Sequence, residues 1–205
     1  MDKYDPKKVF KELYSVGARD FTLVEVPKMQ FLAVDGKGDP NTAPAYTEAV
    51  EALYAVSYAA KFKSKKTLAK DYVVGPLEGL WHADDERAFA RRDKDAWQWT
   101  MMITQPEWIT PEIIDVALEQ VRAKKHLAAV DRLRVITWEE GRCVQILHIG
   151  SYDDETPVLE RMHDEYLPAA SLTFNGDHHE IYLNDPRRTP PEKWKVILRQ
   201  PVRPG

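Results

Sequence analysis

Twice along its length the chain runs through one order of patterns: strand, helix, strand, strand. The first pass opens with residues 21–26 and 29–34, apolar and β-branched runs parted by Pro27, which a strand accommodates at a kink or an edge. From Ala43 to about Phe62, the positions Tyr46, Val50, Leu53 and Ser57 recur at helical spacing, with Ala49 and Tyr54 widening the stripe. Residues 72–74, 77–82 and 97–104 then read as strands, with Trp97, Trp99, Met101 and Ile103 on one face of the last. The second pass repeats this order. Strands over 132–137 and 142–149 flank a turn at Gly141, a helix over 153–169 buries Val158, Leu159, Met162 and Tyr166, and strands follow around 178–183 and 194–202.

Such a repeat predicts an α+β fold of two β-α-β-β units, related by a pseudo-twofold axis with a cleft between the halves. The halves cover about 21–105 and 110–202 of a single domain spanning 1–205, preceded by a helix over about 5–16. Asp5 can cap that first helix and Pro6 suits its first turn. Thr110–Pro111–Glu112 opens a further helix with Ile113, Ile114, Ala117, Leu118 and Val121 inward. Composition sets the class. With 30% charged residues and no apolar run long enough to span a bilayer, the chain reads as a globular protein without a membrane segment. A single cysteine, Cys143, and an N-terminus without an apolar leader fit the cytoplasm. The net charge of −4 exerts no general pull on nucleic acid. Lys61–Phe62–Lys63–Ser64–Lys65–Lys66 reads as a solvated helix end or loop, and Arg91–Arg92–Asp93–Lys94 as a surface turn.

The candidate site centres on His178–His179–Glu180–Ile181–Tyr182–Leu183, a strand bounded by Asn175–Gly176–Asp177 and Asn184–Asp185–Pro186. Alternation turns His178, Glu180 and Tyr182 one way and His179, Ile181 and Leu183 the other. Two readings of Glu180 stand: a surface or ion-paired carboxylate, with Arg187 or Arg199 as partner, or a desolvated group with a chemical task. Glu78 holds the matching place in the first half, and it shares a face with Trp81 only if Gly79 forms a bulge. Tyr152, at the predicted start of a helix, is either an exposed loop ring or one wall of a ligand cage. Trp99 is either core or a ligand contact. His148, His178 and Glu180 lack any zinc-type spacing, so no metal is expected, and no cofactor-binding glycine loop is present. Cys143 reads as a buried thiol rather than a nucleophile.

The ordered pieces Phe31–Leu32–Ala33–Val34–Asp35–Gly36, Asp71–Tyr72–Val73–Val74–Gly75–Pro76–Leu77–Glu78–Gly79–Leu80–Trp81, Val144–Gln145–Ile146–Leu147–His148–Ile149–Gly150–Ser151–Tyr152–Asp153, His178 to Leu183 and Leu198–Arg199–Gln200–Pro201–Val202 together resemble the GyrI-like family, an effector-binding or SOUL-type fold. The resemblance is to the stand-alone branch, without a DNA-binding helix-turn-helix. It implies a pocket for small planar, apolar or cationic molecules between aromatic rings, with its floor glutamate at Glu180. Part of that branch hydrolyses the cyclopropane of DNA-alkylating natural products in an aromatic cage. By that likeness Glu180 and Tyr152 are the expected catalytic residues, and Glu78, Trp81, Tyr182 and Trp99 the expected ligand contacts. The chain departs from the pattern at Trp81–His82, where relatives often carry two tryptophans. Two other roles fit the resemblance: a drug-sequestering or sensor module without chemistry, and a protein inhibitor of the gyrase type. A second copy of the chain is a compatible partner, whereas direct contact with nucleic acid or membrane is not expected.

Overall fold

The computed structural model describes residues 3–83 and 94–205. Two strands of 16 residues, β1 (Thr22–Lys37) and β4 (Arg134–Ile149), each carry the chain from one compact unit into another. One unit holds Met1–Val9 and Met29–Trp138, the other Phe10–Lys28 and Glu139–Gly205. The kink expected at Pro27 and the turn expected at Gly141 do not end these strands. Pro27 is exposed, a strand position where a residue without an N–H is tolerated, and Gly141 takes a positive φ of 72° open to glycine. The helix expected over 5–16 is two short turns, Pro6–Val9 and Lys11–Tyr14, broken where Phe10 leaves helical geometry.

In the first unit β3 (Gln98–Gln105) is central, paired antiparallel with both β1 and β2 (Leu77–His82). The register runs without interruption from Leu77 opposite Ile103 to His82 opposite Gln98, so Gly79 forms no bulge. Strict alternation therefore puts Glu78 and Trp81 on opposite faces of β2. The strand expected over 72–74 reduces to a parallel bridge between Tyr72 and Tyr4. The helix Pro44–Leu68 runs past the expected end at Phe62 to a left-handed Ala69. Its buried face, Ala49, Ala52, Leu53, Val56, Ser57, Ala60 and Ser64, is mostly small, which lets it pack closely on β3 and on the helix Pro111–Lys124. The two buried serines have partners. Gln105 Nε2 donates to Ser57 Oγ at 3.0 Å and Trp108 Nε1 donates to Ser64 Oγ at 3.1 Å. The basic run lies on this helix, and its Lys61 and Lys65 gather with Lys3 around Asp71. Thr110 stands at the N-cap of the Pro111–Lys124 helix, but its side chain makes no capping bond. Of the turn expected at Arg91–Arg92–Asp93–Lys94, the first three residues lie outside the described residues.

In the second unit β7 (Lys195–Pro204) is the hub, antiparallel to β4, to β6 (His178–Tyr182) and to the short β5 (Leu172–Phe174). The helix expected over 153–169 is composite: a 3-10 turn Tyr152–Asp154, an α segment Thr156–Glu160, a π segment Arg161–Tyr166 and an α turn Leu167–Ala169. Pro168 has no N–H to return to the carbonyl of Asp164, and the wider π turn precedes it. Val144, Ile146, Met162, Leu167, Leu172, Val196, Leu198 and Val202 form the core of this unit. Each large apolar side chain buried there contributes about 1.5–3 kcal/mol. Glu180 and Tyr182 lie opposite Leu198 and Val196, and so on the core face; His179 and Ile181, opposite Arg199 and Ile197, lie on the other. Among the described residues no helix is long and apolar enough to cross a membrane.

Candidate functional site

The core face of β6 carries the side chains singled out in the second half of the sequence. Tyr182 Oη donates to Glu180 Oε2 at 2.7 Å, and His178 Nε2 lies 3.6 Å from Glu180 Oε1. Residues two apart on one strand share a face, which brings these three groups into a row. The side chains of Glu180 and His178 are each 15% exposed, so the carboxylate is largely withdrawn from water. Of the two arginines considered as partners for Glu180, Arg187 pairs with Asp185 and Arg199 with Glu140.

Tyr152 joins this row from the 3-10 turn. Its ring meets Tyr182 edge-on at 5.8 Å and lies 4.5 Å from the ring of Trp194, tilted by 34°. Trp194 is fixed in turn by its indole N–H, which donates to the Thr189 carbonyl at 2.7 Å. Burial pushes the Tyr152 phenol up, and the charges of Glu180, Glu155 and Asp185 push it further, so it remains a hydrogen-bond donor.

The sequence reading missed three members of this neighbourhood. Trp194 was assigned only to a strand. Glu155 was lost among the acids of the first turn. Asp153 and Asp154 are exposed, Asp154 accepting from Ser151 Oγ at 2.7 Å, whereas Glu155 points inward and is 5% exposed. Burial, then the charges of Glu180 and Asp153, push its carboxyl up to about 10, so it is a neutral acid at pH 7. His163, edge-on to Phe174 at 4.9 Å, is pushed down to about 4 by burial and by His178. His148 Nε2 lies 3.0 Å from the Ser151 carbonyl, to which it can only donate. No three metal-ligating side chains converge among the described residues.

On the opposite face of β6 lies a charged network that the sequence reading also missed. His179 Nδ1 lies 3.0 Å from Glu140 Oε1, and Arg199 donates to Glu140 Oε2, to Gln145 Oε1 and to the Leu13 carbonyl. Burial alone would raise the Glu140 carboxyl; His179 and then Arg199 outweigh it and hold the group below its ordinary value. Cys143 is fully buried, and burial pushes its thiol up, as an inert cysteine requires.

The remaining expected contacts lie in the first unit. Trp81 and Trp99 are directly opposite in the β2–β3 register, and both meet the ring of Tyr46, at 6.3 and 5.4 Å. Trp97 completes this cluster, edge-on to Trp81 at 5.8 Å. Trp99 is 1% exposed and donates its indole N–H to the Gly38 carbonyl at 3.3 Å. Gly36 is the reason its ring fits, since a Cβ there would stand 2.0 Å from Trp99 Cη2. Glu78, buried on the other face of β2, does not join this cluster.

The profile of the GyrI-like small molecule binding domain matches residues 19–203. Among solved structures, a hydrolase from Listeria innocua is 38% identical with a TM-score of 0.85, and another, encoded by lin2189, is 39% identical with a TM-score of 0.88. An uncharacterized conserved protein of the same organism is 40% identical with a TM-score of 0.89. Each alignment covers 98% of this chain and 100% of the other. The C-terminal domain of EcmrR, 9% identical with a TM-score of 0.55 over 91% of this chain and 98% of its own, shares the fold. No curated protein matches the chain. The architecture is thus α+β of the effector-binding type, with a strand, a helix and further antiparallel strands in each unit.

Proposed function

Because the chain belongs to the GyrI-like small-molecule-binding family, we propose that it takes up planar molecules at the Tyr152, Tyr182 and Trp194 rings and hydrolyses those carrying a strained electrophilic ring, foremost the cyclopropane of DNA-alkylating compounds. One observation carries the reading: a largely buried carboxylate, Glu180, is oriented by the Tyr182 hydroxyl at 2.7 Å beside a cluster of aromatic rings. In a cyclopropane conjugated to a carbonyl, water attacks a ring carbon as the ring C–C bond breaks. The released electron pair passes through the conjugated system to the carbonyl oxygen. Glu180 takes a proton from the attacking water, an effect worth about 10²–10⁴-fold. The Tyr152 hydroxyl donates to the oxygen on which charge develops. Stacking against Tyr152 and Trp194 orients the planar body, at about 0.5–1.5 kcal/mol per aromatic pair. The likeness to two Listeria innocua hydrolases supports an enzyme over a binding module.

Capture without chemistry is the competing reading, favoured by the acid beside aromatic rings, a setting that also suits organic cations. Product analysis after incubation with a cyclopropane-containing alkylator separates the two. The wild-type protein is expected to release the ring-opened alcohol. Glu180→Gln is expected to lower turnover about 10²–10⁴-fold with little change in affinity for a neutral substrate. If the protein only captures cations, no alcohol forms, and the same variant loses about 1–3 kcal/mol of affinity for a cationic dye. Full turnover by the Gln variant removes Glu180 from the chemistry.

A further inference from the structure

Glu155 is a buried side chain with one carboxyl oxygen left unpartnered among the described residues. It is the N-cap residue of the Thr156–Glu160 segment, but its backbone carbonyl does the capping, accepting from the Val158 and Leu159 N–H groups, and its side chain makes no capping bond. The residue is 5% exposed, and its Oε1 has no hydrogen-bond partner among the described residues. A buried carboxyl oxygen left unmet is costly and invites a task. The local geometry supplies one. At about three residues per turn, positions three apart in a 3-10 turn eclipse one another, so Glu155 stacks on the same side as Tyr152. The charges that act on it are those of Glu180, from β6, and Asp153, from its own turn; Glu180, Glu155 and Asp185 all act on Tyr152. No cation stands among these influences.

We propose that Glu155 is the proton donor of the site, delivering its carboxyl proton to the ligand oxygen on which negative charge builds. The assignment rests on the hydrolytic reading above and adds a second catalytic residue to it. Where one of two neighbouring carboxyls is held neutral, the pair can divide acid and base roles between them. The step balances. A C–O bond forms from water to the ring carbon, the ring C–C bond breaks, and its electron pair reaches the carbonyl oxygen. The Glu155 O–H proton goes to that oxygen and one water proton goes to Glu180. The enzyme is left with Glu155 ionised and Glu180 protonated, and exchange with solvent restores both. A neutral Glu155 at pH 7 suits the role.

The test compares the pH dependence of kcat for the wild type and Glu155→Gln, which keeps the shape and a hydrogen-bond donor but has no acid proton. The wild type is expected to hold its kcat into the alkaline range and lose it near about pH 10. The Gln variant is expected to lose about 10²-fold at neutral pH and to lack that alkaline fall. Its affinity for neutral 9-fluorenone should change by less than about threefold, which shows the site intact. Wild-type turnover with an unchanged alkaline limb overturns the assignment. Should the wild type open no cyclopropane at all, the hydrolytic reading fails separately. Carboxyl-carbon NMR of glutamate-labelled protein at about pH 8 then decides for Glu155. A protonated signal, absent from the Gln variant, that shifts on adding 9-fluorenone supports donation to a carbonyl; an ionised or unmoved carboxyl overturns it.

Discussion

Replacing Arg199 with leucine tests whether the face of β6 opposite Glu180 is held together by charge. Arg199 is 1% exposed and donates to Glu140 Oε2 at 3.3 Å, Gln145 Oε1 at 3.1 Å and the Leu13 carbonyl at 2.8 Å. Leucine fills much of the space but leaves these acceptors short of a donor, the Glu140 charge being the costliest. Breaking a buried charge network by removing one partner costs about 3–5 kcal/mol. The two neutral acceptors push the expected loss up, and the surviving His179 contact at 3.0 Å pulls it down, so the middle of that range is expected. For a chain of this length each kcal/mol moves Tm by roughly 2–4 °C, which predicts a fall of about 8–16 °C. A pH signature separates charge from packing. The Glu140 carboxyl is depressed in the folded state, so its stabilisation is present above the unfolded value of 4.5 and is lost as pH falls through the lower folded one. The variant has less of this to lose, so the gap between the two proteins should narrow on acidification below about pH 4.5. Urea unfolding of both proteins across that range measures it. Adding Glu140→Gln to the variant should recover part of the loss, because the stranded charge goes with its partner. A loss under about 1 kcal/mol, or a gap that does not change with pH, would refute a charge network.

Two further outcomes follow. Gly36→Ala drives a methyl into the Trp99 ring, at 2.0 Å from Cη2, and should cost about 1–3 kcal/mol or more in urea unfolding, while Gly17→Ala, with nothing within 4 Å, should stay within about 0.5 kcal/mol of wild type. The His163 imidazole is depressed to about 4, so its contribution is present above the unfolded value of 6.5 and is lost as pH falls through about 4; His163→Phe should therefore lose less stability than wild type over that window, measured by thermal unfolding.

The sequence was most legible where periodicity alone decides. The order of strands and helices, the inward stripe of the Pro111–Lys124 helix and the shared face of His178, Glu180 and Tyr182 follow from spacing of 3.6 or of two residues. It misled where a glycine or proline was read as punctuation. Pro27 and Gly141 sit inside long strands, and Gly79 keeps register, its open face covered by Met101 and Trp81. It was silent where tertiary partners decide the meaning of a polar residue. Nothing local distinguishes inward Glu155 from its exposed neighbours Asp153 and Asp154. Nor does anything local pair Glu140 with Arg199, 59 positions away.

The two faces of β6 are not independent in consequence. His179 is paired with Arg199 in the β6–β7 register, and the next pair along is Glu180 with Leu198. The charged network on one face therefore lies one residue from the carboxylate on the other. A slip of β6 by one residue would turn Glu180 into the network and His179 toward Tyr152, placing a second buried acid beside Glu140 in place of its His179 partner and leaving Arg199 to face both. Like charges brought together in the interior make that slip costly, so the network acts as a register lock for the strand. The hydroxyl of Tyr182 can orient Glu180 only while that register holds, since both must stand on one face. Residues on the opposite face of the strand thus set the aim of the carboxylate.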